Sequence, residues 1–495
     1  MNKKGREKNI MERRDFLSIS TAAIGAMMAG PLLNSCKNKT SRSTHDKPNI
    51  VFIFIDDLGW KDVGYMGSKY YETPTIDRLA KQGMIFTRAY ANAANCAPTR
   101  ASLLCGQYTP RHGVYTVASS ARGKSENRRL IPIENSREVD LAKITIAETL
   151  KNAGYVSAAI GKWHIGHKPE QHGFDYGIDR DKLNIEGHFS ESGEYLTDLL
   201  TGEAINFIKK NNPDTTKRPF FLYLSHHAVH TPISAKKNMI EAFENKPAND
   251  CHNNATYAAM IKSVDESVAR IIHVLEELQL NNNTLLVFFS DNGGHGTYTC
   301  QKPLRGGKGM YYEGGIRVPM FVYWPGKVKP GSTCEEPVIG SDFYPTFLQS
   351  AGISAPQNYE LDGTSILPLL KGEKKLSRES LFWHFPCYLQ AYEGMTDESR
   401  DPLFRTRPVS VILKRDWKLL MFHEEWVLDG GSKNLDGNNS IELYNLKNDI
   451  AEQNNLAHIN TRKRDELLKE LIDWQKNIKA PVPTNPNPEY FDKDN

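Results

Sequence analysis

Four short apolar runs, separated by segments with helical periodicity, constrain the fold of this chain more than any other feature. The runs NIVFIFI, YVSAAI, PFFLYL and TLLVFF cover residues 49–55, 155–160, 219–224 and 284–289. Continuous apolar runs of this length are typical of strands buried on both faces of a parallel sheet. The segments between them predict helices at 76–83, 144–152, 195–209 and 257–280. This alternation predicts an α/β fold with a mostly parallel sheet sandwiched by helices.

The pattern changes after residue 375. Residues 408–424 predict a β-hairpin that turns near 414–416, and residues 441–446 predict another short strand. Apolar side chains recur on one side of residues 462–478, which predicts an amphipathic helix. We therefore expect a main domain at 48–375 and a smaller α+β C-terminal subdomain at 376–495.

Polar and ionisable residues follow each of the four predicted strands. These strand ends read DD at 56–57, GKWH at 161–164, SHHAVH at 225–230 and SDNGG at 290–294. One polar strand end is usually a solvated loop, but four together are hard to explain as solvation. Ligands of open α/β sheets bind in the crevice beyond the carboxyl ends of the strands. The sequence therefore predicts a site at this edge of the sheet.

Four of these residues supply oxygen ligands for a metal ion. Oxygen-only ligation suits Ca²⁺, with Mg²⁺ as the alternative, and does not suit zinc or copper. Two adjacent carboxylates in one crevice would repel each other unless a cation lay between them. Each residue alone could instead be a cap or a turn residue, and the DNGG sequence is an ordinary turn signal. The predicted metal ligands are Asp56, Asp57, Asp291 and Asn292.

Several cationic or titratable side chains accompany the predicted metal site. A cation and several basic groups in one pocket imply an anionic tetrahedral substrate, either a phosphate or a sulfate. Cys96 precedes a predicted helix start in CAPTRASLL, where Pro98 suits the first turn and the helix N-terminus favours anions. The candidate basic residues are Arg100, Lys162, His164, His230 and Lys308, the last in a glycine-rich loop.

The first 36 residues resemble a bacterial export signal with a lipobox. A basic segment at 1–14 precedes an apolar segment at 16–33, and Arg13-Arg14 resembles a twin-arginine signal. The sequence LLNSC resembles a lipobox that ends at Cys36, and residues 37–47 form a polar tether. We expect an exported lipoprotein of a Gram-negative bacterium, in the periplasm or on the outer membrane, with its lipid anchor at Cys36 as its sole membrane attachment. A plain membrane anchor and a soluble secreted protein are the alternatives.

Charge and cysteine content exclude some classes of protein. The 62 basic and 59 acidic residues give a net charge of +3, so we expect no nucleic-acid partner. The seven cysteines are odd in number and form no CxxC motif, so we predict neither a disulfide framework nor a zinc site. Cys105 is expected in the core. The remaining cysteines are expected to be free or structural: Cys251, Cys300, Cys334 and Cys387.

The motifs together resemble the type I, formylglycine-dependent sulfatases of the alkaline phosphatase superfamily, arylsulfatase-like enzymes that include bacterial carbohydrate sulfatases. They are IDDLGW, CAPTRASLLCG, GKWHIG, SDNGG, GGKGMYYEGGIR and ELYNLKNDIAEQNNLA, in this order along almost all of the chain after residue 49. The resemblance implies an alkaline-phosphatase-like fold and a sulfatase catalytic domain at 48–375. It also implies that Cys96 is oxidised to Cα-formylglycine by a partner, either a formylglycine-generating enzyme or an anaerobic sulfatase-maturating enzyme.

The resemblance also implies a role for each site residue. One hydroxyl of the hydrated aldehyde would attack sulfur, and the other would then lose its proton and expel sulfate. Lys162 and Lys308 would bind sulfate oxygens, His164 would serve the elimination, and His230 would protonate the leaving alcohol. Arg100 would orient the hydrate. The Ca²⁺ ligands would be Asp56, Asp57, Asp291, Asn292 and the modified Cys96.

The substrate expected from this resemblance is a sulfated carbohydrate outside the cell. Glycosaminoglycans, mucin O-glycans and algal polysaccharides are the candidates. The segments YTPRHGVYTV, RRLIPIEN and PLRGGKG resemble those of bacterial enzymes that act on sulfated galactose or N-acetylgalactosamine. The 4-sulfate is the position we consider first. Two rival functions remain. A phosphatase or phosphodiesterase of the same fold would use Ser or Thr as nucleophile and two zinc ions. A non-catalytic glycan-binding protein would be expected to lose the cysteine, a metal ligand or a lysine.

Overall fold

The computed structural model describes residues 47–491 except 394, 396 and 397. The predicted export signal, the lipobox at Cys36 and residues 37–46 of the tether lie outside the described residues. Within the described part of the chain, no helix combines the length and the apolar character that a bilayer crossing requires.

The four predicted strands lie side by side at the centre of one large sheet. Among the described residues, nine strands make this sheet, in the order β4-β3-β5-β1-β6-β7-β2-β8 with β9 beside β2. Strands β4, β3, β5, β1 and β6 are mutually parallel, which confirms the predicted fold class. The strands are Asn49–Ile55 (β1), Met84–Tyr90 (β2), Val156–Gly161 (β3), Tyr176–Ile178 (β4), Phe220–Ser225 (β5), Thr284–Ser290 (β6), Arg317–Tyr323 (β7), Ser332–Cys334 (β8) and Val338–Ile339 (β9).

Strand β7 runs against the other long strands of the sheet. It is antiparallel to both of its neighbours, β6 and β2. The sequence prediction did not include β2 or β7. Neither is a plain apolar run, since β2 alternates buried with partly exposed residues and β7 begins with an arginine and contains a proline.

Helices cover both faces of the sheet because β1 is apolar on both of its faces. Successive side chains of a strand point to opposite faces. Accordingly, Phe52 and Phe54 pack in one apolar cluster, whereas Ile53 and Ile55 pack in the other. The helices are Pro74–Gln82 (α1), Cys96–Cys105 (α2), Thr109–His112 (α3), Ile146–Asn152 (α4), Leu196–Lys210 (α5), Pro213–Thr216 (α6), Lys237–Glu244 (α7), Ala255–Glu277 (α8), Glu313–Ile316 (α9), Phe343–Ser350 (α10), Leu367–Leu370 (α11), His423–Leu428 (α12) and Thr461–Ile478 (α13).

Local side-chain hydrogen bonds explain where two predicted helices begin. Helix α4 starts with a capping box, in which the Thr145 hydroxyl accepts the N–H of Glu148 and the Glu148 carboxylate accepts the N–H of Thr145. Helix α8 starts after Asn254, whose side-chain oxygen accepts the N–H of Tyr257 at 2.9 Å. These bonds satisfy N–H groups that have no partner within the helix.

A second, antiparallel sheet follows the main sheet along the chain. Its order is β10-β13-β14-β15, and helix α13 packs against β13 and β14. The predicted hairpin is present as β13 and β14, which turn at Arg415 and Asp416, and the predicted helix is α13. Two further short strands, β11 and β12, pair with each other. The C-terminal strands are Ser380–Phe385 (β10), Leu389–Gln390 (β11), Phe404–Thr406 (β12), Val409–Lys414 (β13), Trp417–Phe422 (β14) and Ile441–Asn445 (β15).

The structure shows a disulfide bond that the sequence analysis did not predict. Cys251 and Cys300 are paired, with their Cα atoms 6.0 Å apart. The two cysteines are 49 residues apart in loops on either side of β6, so no local spacing could predict their contact. The other described cysteines are buried free thiols, and Cys105 lies in the core as predicted.

Candidate active site

The carboxyl ends of the central strands open into a cavity of about 640 Å³. The structure brings every predicted site residue to this place. Six of them line the cavity: Asp56, Cys96, Lys162, His164, His230 and Lys308. The remaining four are completely buried and bonded to that set or to one another: Asp57, Arg100, Asp291 and Asn292.

Three carboxylates and one amide form the floor of the cavity. Asp56 and Asp57 follow β1, and Asp291 and Asn292 follow β6, which pairs with β1 in parallel. The Asp57 N–H donates to Asp291 Oδ1 at 3.1 Å, and the Asn292 amide donates to Asp57 Oδ1 at 2.8 Å. Asp57 has a φ of 61°, a left-handed conformation that an aspartate tolerates better than most residues. The strand register thus brings the four side chains together.

Arg100 is bonded to this floor and to the ends of the neighbouring strands. Its Nε and Nη2 donate to Asp291 Oδ2 at 3.1 and 2.6 Å, and its Nη1 donates to the Lys162 carbonyl at 2.9 Å and to the Ser225 hydroxyl. The guanidinium also lies 4.8 Å from the centroid of the Phe54 ring. One side chain thereby ties α2 to the ends of β3, β5 and β6. This arrangement explains why an arginine four residues after Cys96 is completely buried.

Two lysines from different loops contact the carboxylates. Lys162, after β3, is ion-paired with Asp56, and the Lys308 ammonium lies 2.6 Å from Asp57 Oδ2. Burial opposes the charge on Lys162, but Asp56 outweighs it and raises the pKa of Lys162 above its usual value. The ammonium of Lys162 is therefore held charged at the cavity surface.

Cys96 lies at the start of α2 with its side chain at the cavity surface. Its sulfur is 3.3 Å from His164 Nδ1. Burial lowers the pKa of His164 to about 3, and Lys162 and Arg100 add to the fall, so the ring is neutral at physiological pH. A neutral ring nitrogen beside the Cys96 side chain can accept a proton from whatever group stands there.

The histidines after β5 occupy different environments. His226 is completely buried, with its Nε2 2.9 Å from the Ser267 hydroxyl. His227 lines the cavity and lies 2.7 Å from Asp179 Oδ1. His230 Nδ1 is 2.6 Å from the Thr231 carbonyl, and its Nε2 lies 3.7 Å from Asp57 Oδ2. Of these rings, His230 is therefore the one placed between the carboxylate floor and the cavity.

Burial and the neighbouring charges act in opposite directions on the pKa values of the carboxylates. Burial raises the pKa of Asp56, but Lys162, His230, Arg100 and Lys308 together bring it well below its usual value. Burial raises the pKa of Asp291, the neighbouring Asp56 adds to the rise, and Arg100 opposes it. Crowding of buried carboxylates is thus only partly relieved by the basic side chains.

The residues on the floor fit a bound hard cation. Asp56 Oδ1 and Asn292 Oδ1 are buried acceptors without a hydrogen-bond partner among the described residues. The candidate ligand atoms of Asp56, Cys96 and Asp291 lie within 4.8 Å of one another, as do those of Asp56, Asp57 and His230. A buried acceptor left unpaired is costly, and an oxygen-bound cation would satisfy it. The donor set therefore suits Ca²⁺ or Mg²⁺.

Sequence reasoning missed several residues of the cavity wall. Arg122, Asp179, His188, Tyr392 and Arg405 line it. Asp179 follows the short strand β4, which was not predicted, and the others lie in loops or in the short C-terminal strands. Arg305, three residues before Lys308, does not line this cavity; its Nη1 donates to the Tyr444 hydroxyl and to the Glu452 carbonyl.

The family models match nearly all of the described chain. The family described as Sulfatase matches residues 48–353, and the model described as N-sulphoglucosamine sulphohydrolase, C-terminal, matches residues 307–479. A protein named Sulfatase from Formosa agariphila is 32% identical and covers 89% of this chain and 90% of that protein. N-acetylgalactosamine-6-sulfatase from Homo sapiens is 30% identical and covers 70% of each chain.

A solved structure extends the likeness to three dimensions. Ps i-CgsB, in complex with k-i-k-neocarrahexaose, is 29% identical and has a TM-score of 0.70 over 90% of this chain and 96% of that chain. The mostly parallel sheet with its antiparallel C-terminal sheet is the alkaline-phosphatase-like arrangement of these neighbours. On this evidence the chain belongs to the sulfatase family and is a sulfuric ester hydrolase.

Proposed function

We propose that this protein hydrolyses sulfate esters on extracellular carbohydrate, with a formylglycine derived from Cys96 and a bound Ca²⁺. Two similar proteins are linked to carbohydrates: one is named N-acetylgalactosamine-6-sulfatase, and the other, Ps i-CgsB, was solved in complex with k-i-k-neocarrahexaose. Within this class, sulfated galactose or N-acetylgalactosamine, including the 4-sulfate, is the substrate we propose to test first.

The observation that carries the proposal is the placement of Cys96. Its side chain meets the ring of His164 at 3.3 Å in a cavity that also presents two lysines and three carboxylates. A thiol that served only packing would not need these neighbours. Oxidised to the aldehyde and hydrated, this side chain supplies a hydroxyl nucleophile. The neutral His164 ring is placed to take a proton from that group.

The basic side chains are suited to hold a sulfate group against Cys96. Each lysine ammonium has three donors, so Lys162 and Lys308 can keep their carboxylate contacts and still donate to sulfate oxygens. Their charge would be worth most where negative charge grows on those oxygens as the ester breaks. His230 is held by its Nδ1 contact to the Thr231 carbonyl, which leaves Nε2 to deliver a proton to the departing sugar oxygen.

A Ca²⁺ would be held by the four floor residues, Asp56, Asp57, Asp291 and Asn292, with the modified Cys96. When bound, it would stabilise negative charge on a sulfate oxygen as a Lewis acid. The chain prepares the ligands by orienting them: Arg100 fixes Asp291, and the Asp57 N–H fixes it from the other side. The unpaired oxygens of Asp56 and Asn292 support this assignment.

A panel of sulfated sugars tests the proposed activity. Purified protein with a measured aldehyde content would be incubated with N-acetylgalactosamine 4-sulfate, galactose 4-sulfate and their 6-sulfated isomers. Sulfate release that requires the aldehyde supports the proposal. Release of phosphate from sugar phosphates at a higher rate would favour the phosphatase alternative, and tight glycan binding without release would favour a binding protein.

We further propose that the protein is exported and anchored by a lipid at Cys36. The Cys251–Cys300 disulfide supports an oxidising compartment, because such bonds are rare in the cytosol. Metabolic labelling with a fatty-acid analogue tests the anchor. We expect label in the wild-type protein and none in Cys36→Ser; equal labelling of both would contradict the assignment.

A further inference from the structure

Arg122 is a charged group in the catalytic cavity that the proposed reaction does not use. Its side chain lines the cavity and is partly buried. Across the residues that the structure describes, its guanidinium makes no hydrogen bond and no ion pair. Guanidinium groups that are withdrawn from water are normally paired with a carboxylate or a phosphate. An unpaired one at a ligand cavity therefore points to an anion that arrives with the ligand.

The backbone holds Arg122 against the C-terminal strands rather than against the carboxylate floor. Ala121 forms a parallel bridge with Tyr388, and the Tyr388 N–H donates to the Ser120 carbonyl at 2.9 Å. On the other side of Arg122, Gly123 packs against Phe404. The short segment 120–123 is thus fixed against β11 and β12, so Arg122 belongs to an ordered part of the cavity wall.

The same wall contains a second guanidinium. Arg405, in β12, lines the cavity, donates from Nε to the Gln390 carbonyl at 3.0 Å, and stacks over Tyr392 with its Cζ 4.7 Å from the ring centroid. Arg122 and Arg405 therefore make this side of the cavity cationic. Two carboxylates, Asp179 and Asp181, also line the cavity, and Asp179 is engaged by His227 at 2.7 Å.

Arg122 is also within electrostatic reach of the reaction centre. Burial lowers the pKa of Arg122, and Cys96 is the neighbouring group that opposes the fall. The two lysines and the carboxylate floor already serve the sulfate that is cleaved at Cys96. An anion beside Arg122 would consequently be a different group on the same substrate, close to the cleaved ester.

We propose that Arg122 is a specificity residue that binds a second anionic group of the substrate, either another sulfate or a uronic-acid carboxylate. The inference rests on the proposed function and narrows its substrate to multiply charged carbohydrate. A guanidinium recognises sulfate and carboxylate in the same way, because each presents two oxygens that can accept parallel N–H hydrogen bonds.

Arg122→Gln tests this proposal through the ratio of kcat/KM between substrates. The substrates are N-acetylgalactosamine 4-sulfate, its 4,6-disulfate, and the 4-sulfated disaccharide with glucuronic acid. Loss of a charge-assisted hydrogen bond predicts a fall of about 10- to 100-fold in the preference for one of the doubly charged substrates over the monosulfate. A fall for the disulfate identifies the partner as sulfate, and a fall for the disaccharide identifies it as carboxylate.

Lys124→Gln is the matched control. It removes a positive charge two residues away, but the Lys124 side chain is 77% exposed and does not line the cavity, so the ratio should stay within about twofold of wild type. Equal losses on all three substrates, or an unchanged ratio in Arg122→Gln, would overturn the inference while leaving the proposed function intact. If aldehyde-bearing wild-type protein releases sulfate from none of the three, we would measure binding in a Cys96→Ala background. The same loss of preference for a doubly charged sugar would support the inference, whereas no binding would remove it together with the proposed sugar.

Discussion

Replacing Lys418 by methionine probes the buried ion cluster behind the loop that carries Lys308. Lys418 lies on β14 and is completely buried, with its ammonium 3.0 Å from Glu313 Oε1 and 2.8 Å from Glu452 Oε1. Both carboxylates are also completely buried. The Glu313 N–H donates to Glu452 Oε2 at 2.6 Å, so the cluster joins the C-terminal sheet to the start of α9.

The expected loss of stability follows from these contacts. Removing one partner of a buried ion pair costs about 3–5 kcal/mol, because the other charge stays buried without compensation. Here one ammonium serves two carboxylates, although Arg317 still lies 3.3 Å from Glu313 Oε2. We therefore expect Lys418→Met to lower the free energy of unfolding by about 3–5 kcal/mol at pH 8.5.

The loss should depend on pH with a definite sign. Burial and the neighbouring Glu313 raise the pKa of Glu452 to about 7, while Lys418 opposes the rise; without Lys418 the pKa climbs further. A carboxyl whose pKa is raised by folding costs stability as pH rises above its unfolded value, up to the folded pKa. In wild type this cost stops growing near pH 7, whereas in the variant it continues to grow above pH 7 because the pKa of Glu452 is higher. The difference between them should grow by about 2 kcal/mol from pH 7 to 8.5.

Chemical unfolding of both proteins at pH 6, 7 and 8.5 measures this difference. Lys418→Met/Glu452→Gln should recover part of the stability and lose the pH dependence. Lys414→Met is the control, because Lys414 makes the same kind of contact to Glu470 at 2.7 Å but in a partly exposed setting, and should cost at most about 1 kcal/mol. Equal stability of Lys418→Met and wild type at pH 8.5, or a deficit that shrinks with rising pH, would refute the reasoning.

Four further predictions concern the site and its support. Cys96→Ser should nearly abolish turnover and trap a sulfate ester, since serine has one hydroxyl; sulfate release assays and intact-protein mass spectra would detect this, and wild-type turnover would contradict it. Removing Ca²⁺ with a chelator should reduce activity, and adding Ca²⁺ should restore it, whereas an unchanged rate in metal-free protein would exclude the metal assignment. His230→Ala should slow alkyl sulfate hydrolysis far more than that of 4-nitrophenyl sulfate, whose leaving group needs no proton, and equal slowing would rule out a general acid. Cys300→Ser should lower the free energy of unfolding by about 4 kcal/mol, because the disulfide closes a loop between cysteines 49 residues apart. Chemical unfolding would measure this loss, and a loss below about 1 kcal/mol would show that the disulfide does not stabilise the fold.

Most of the site residues could be placed because they follow strands of recognisable character, whereas Cys96, Arg100 and Lys308 were identified from their motifs. Asp56 and Asp291 follow uninterrupted apolar runs, and neighbouring parallel strands place such ends side by side. The periodic helices were predictable for the same local reason. Their boundaries in the structure lie within three residues of the predicted ones, for example Ala255–Glu277 against 257–280.

Features that depend on distant contacts could not be predicted in this way. Arg122 belongs to the cavity because its segment bridges to Tyr388, and nothing in the local sequence indicates that bridge. Cys251 and Cys300 meet through two loops. Strand β7 was missed because it begins with Arg317 and contains Pro319, a residue that argues against a central strand.

The chemistry at Cys96 is the central claim, and the tryptic peptide from Ala89 to Arg100 tests it most directly. This peptide, AYANAANCAPTR, would be isolated from protein made in its native host and measured by mass spectrometry. The proposed mechanism predicts the mass of an aldehyde in place of the thiol at Cys96, in a fraction that matches the active fraction of the enzyme. Fully active protein that carries only the intact thiol would contradict the mechanism.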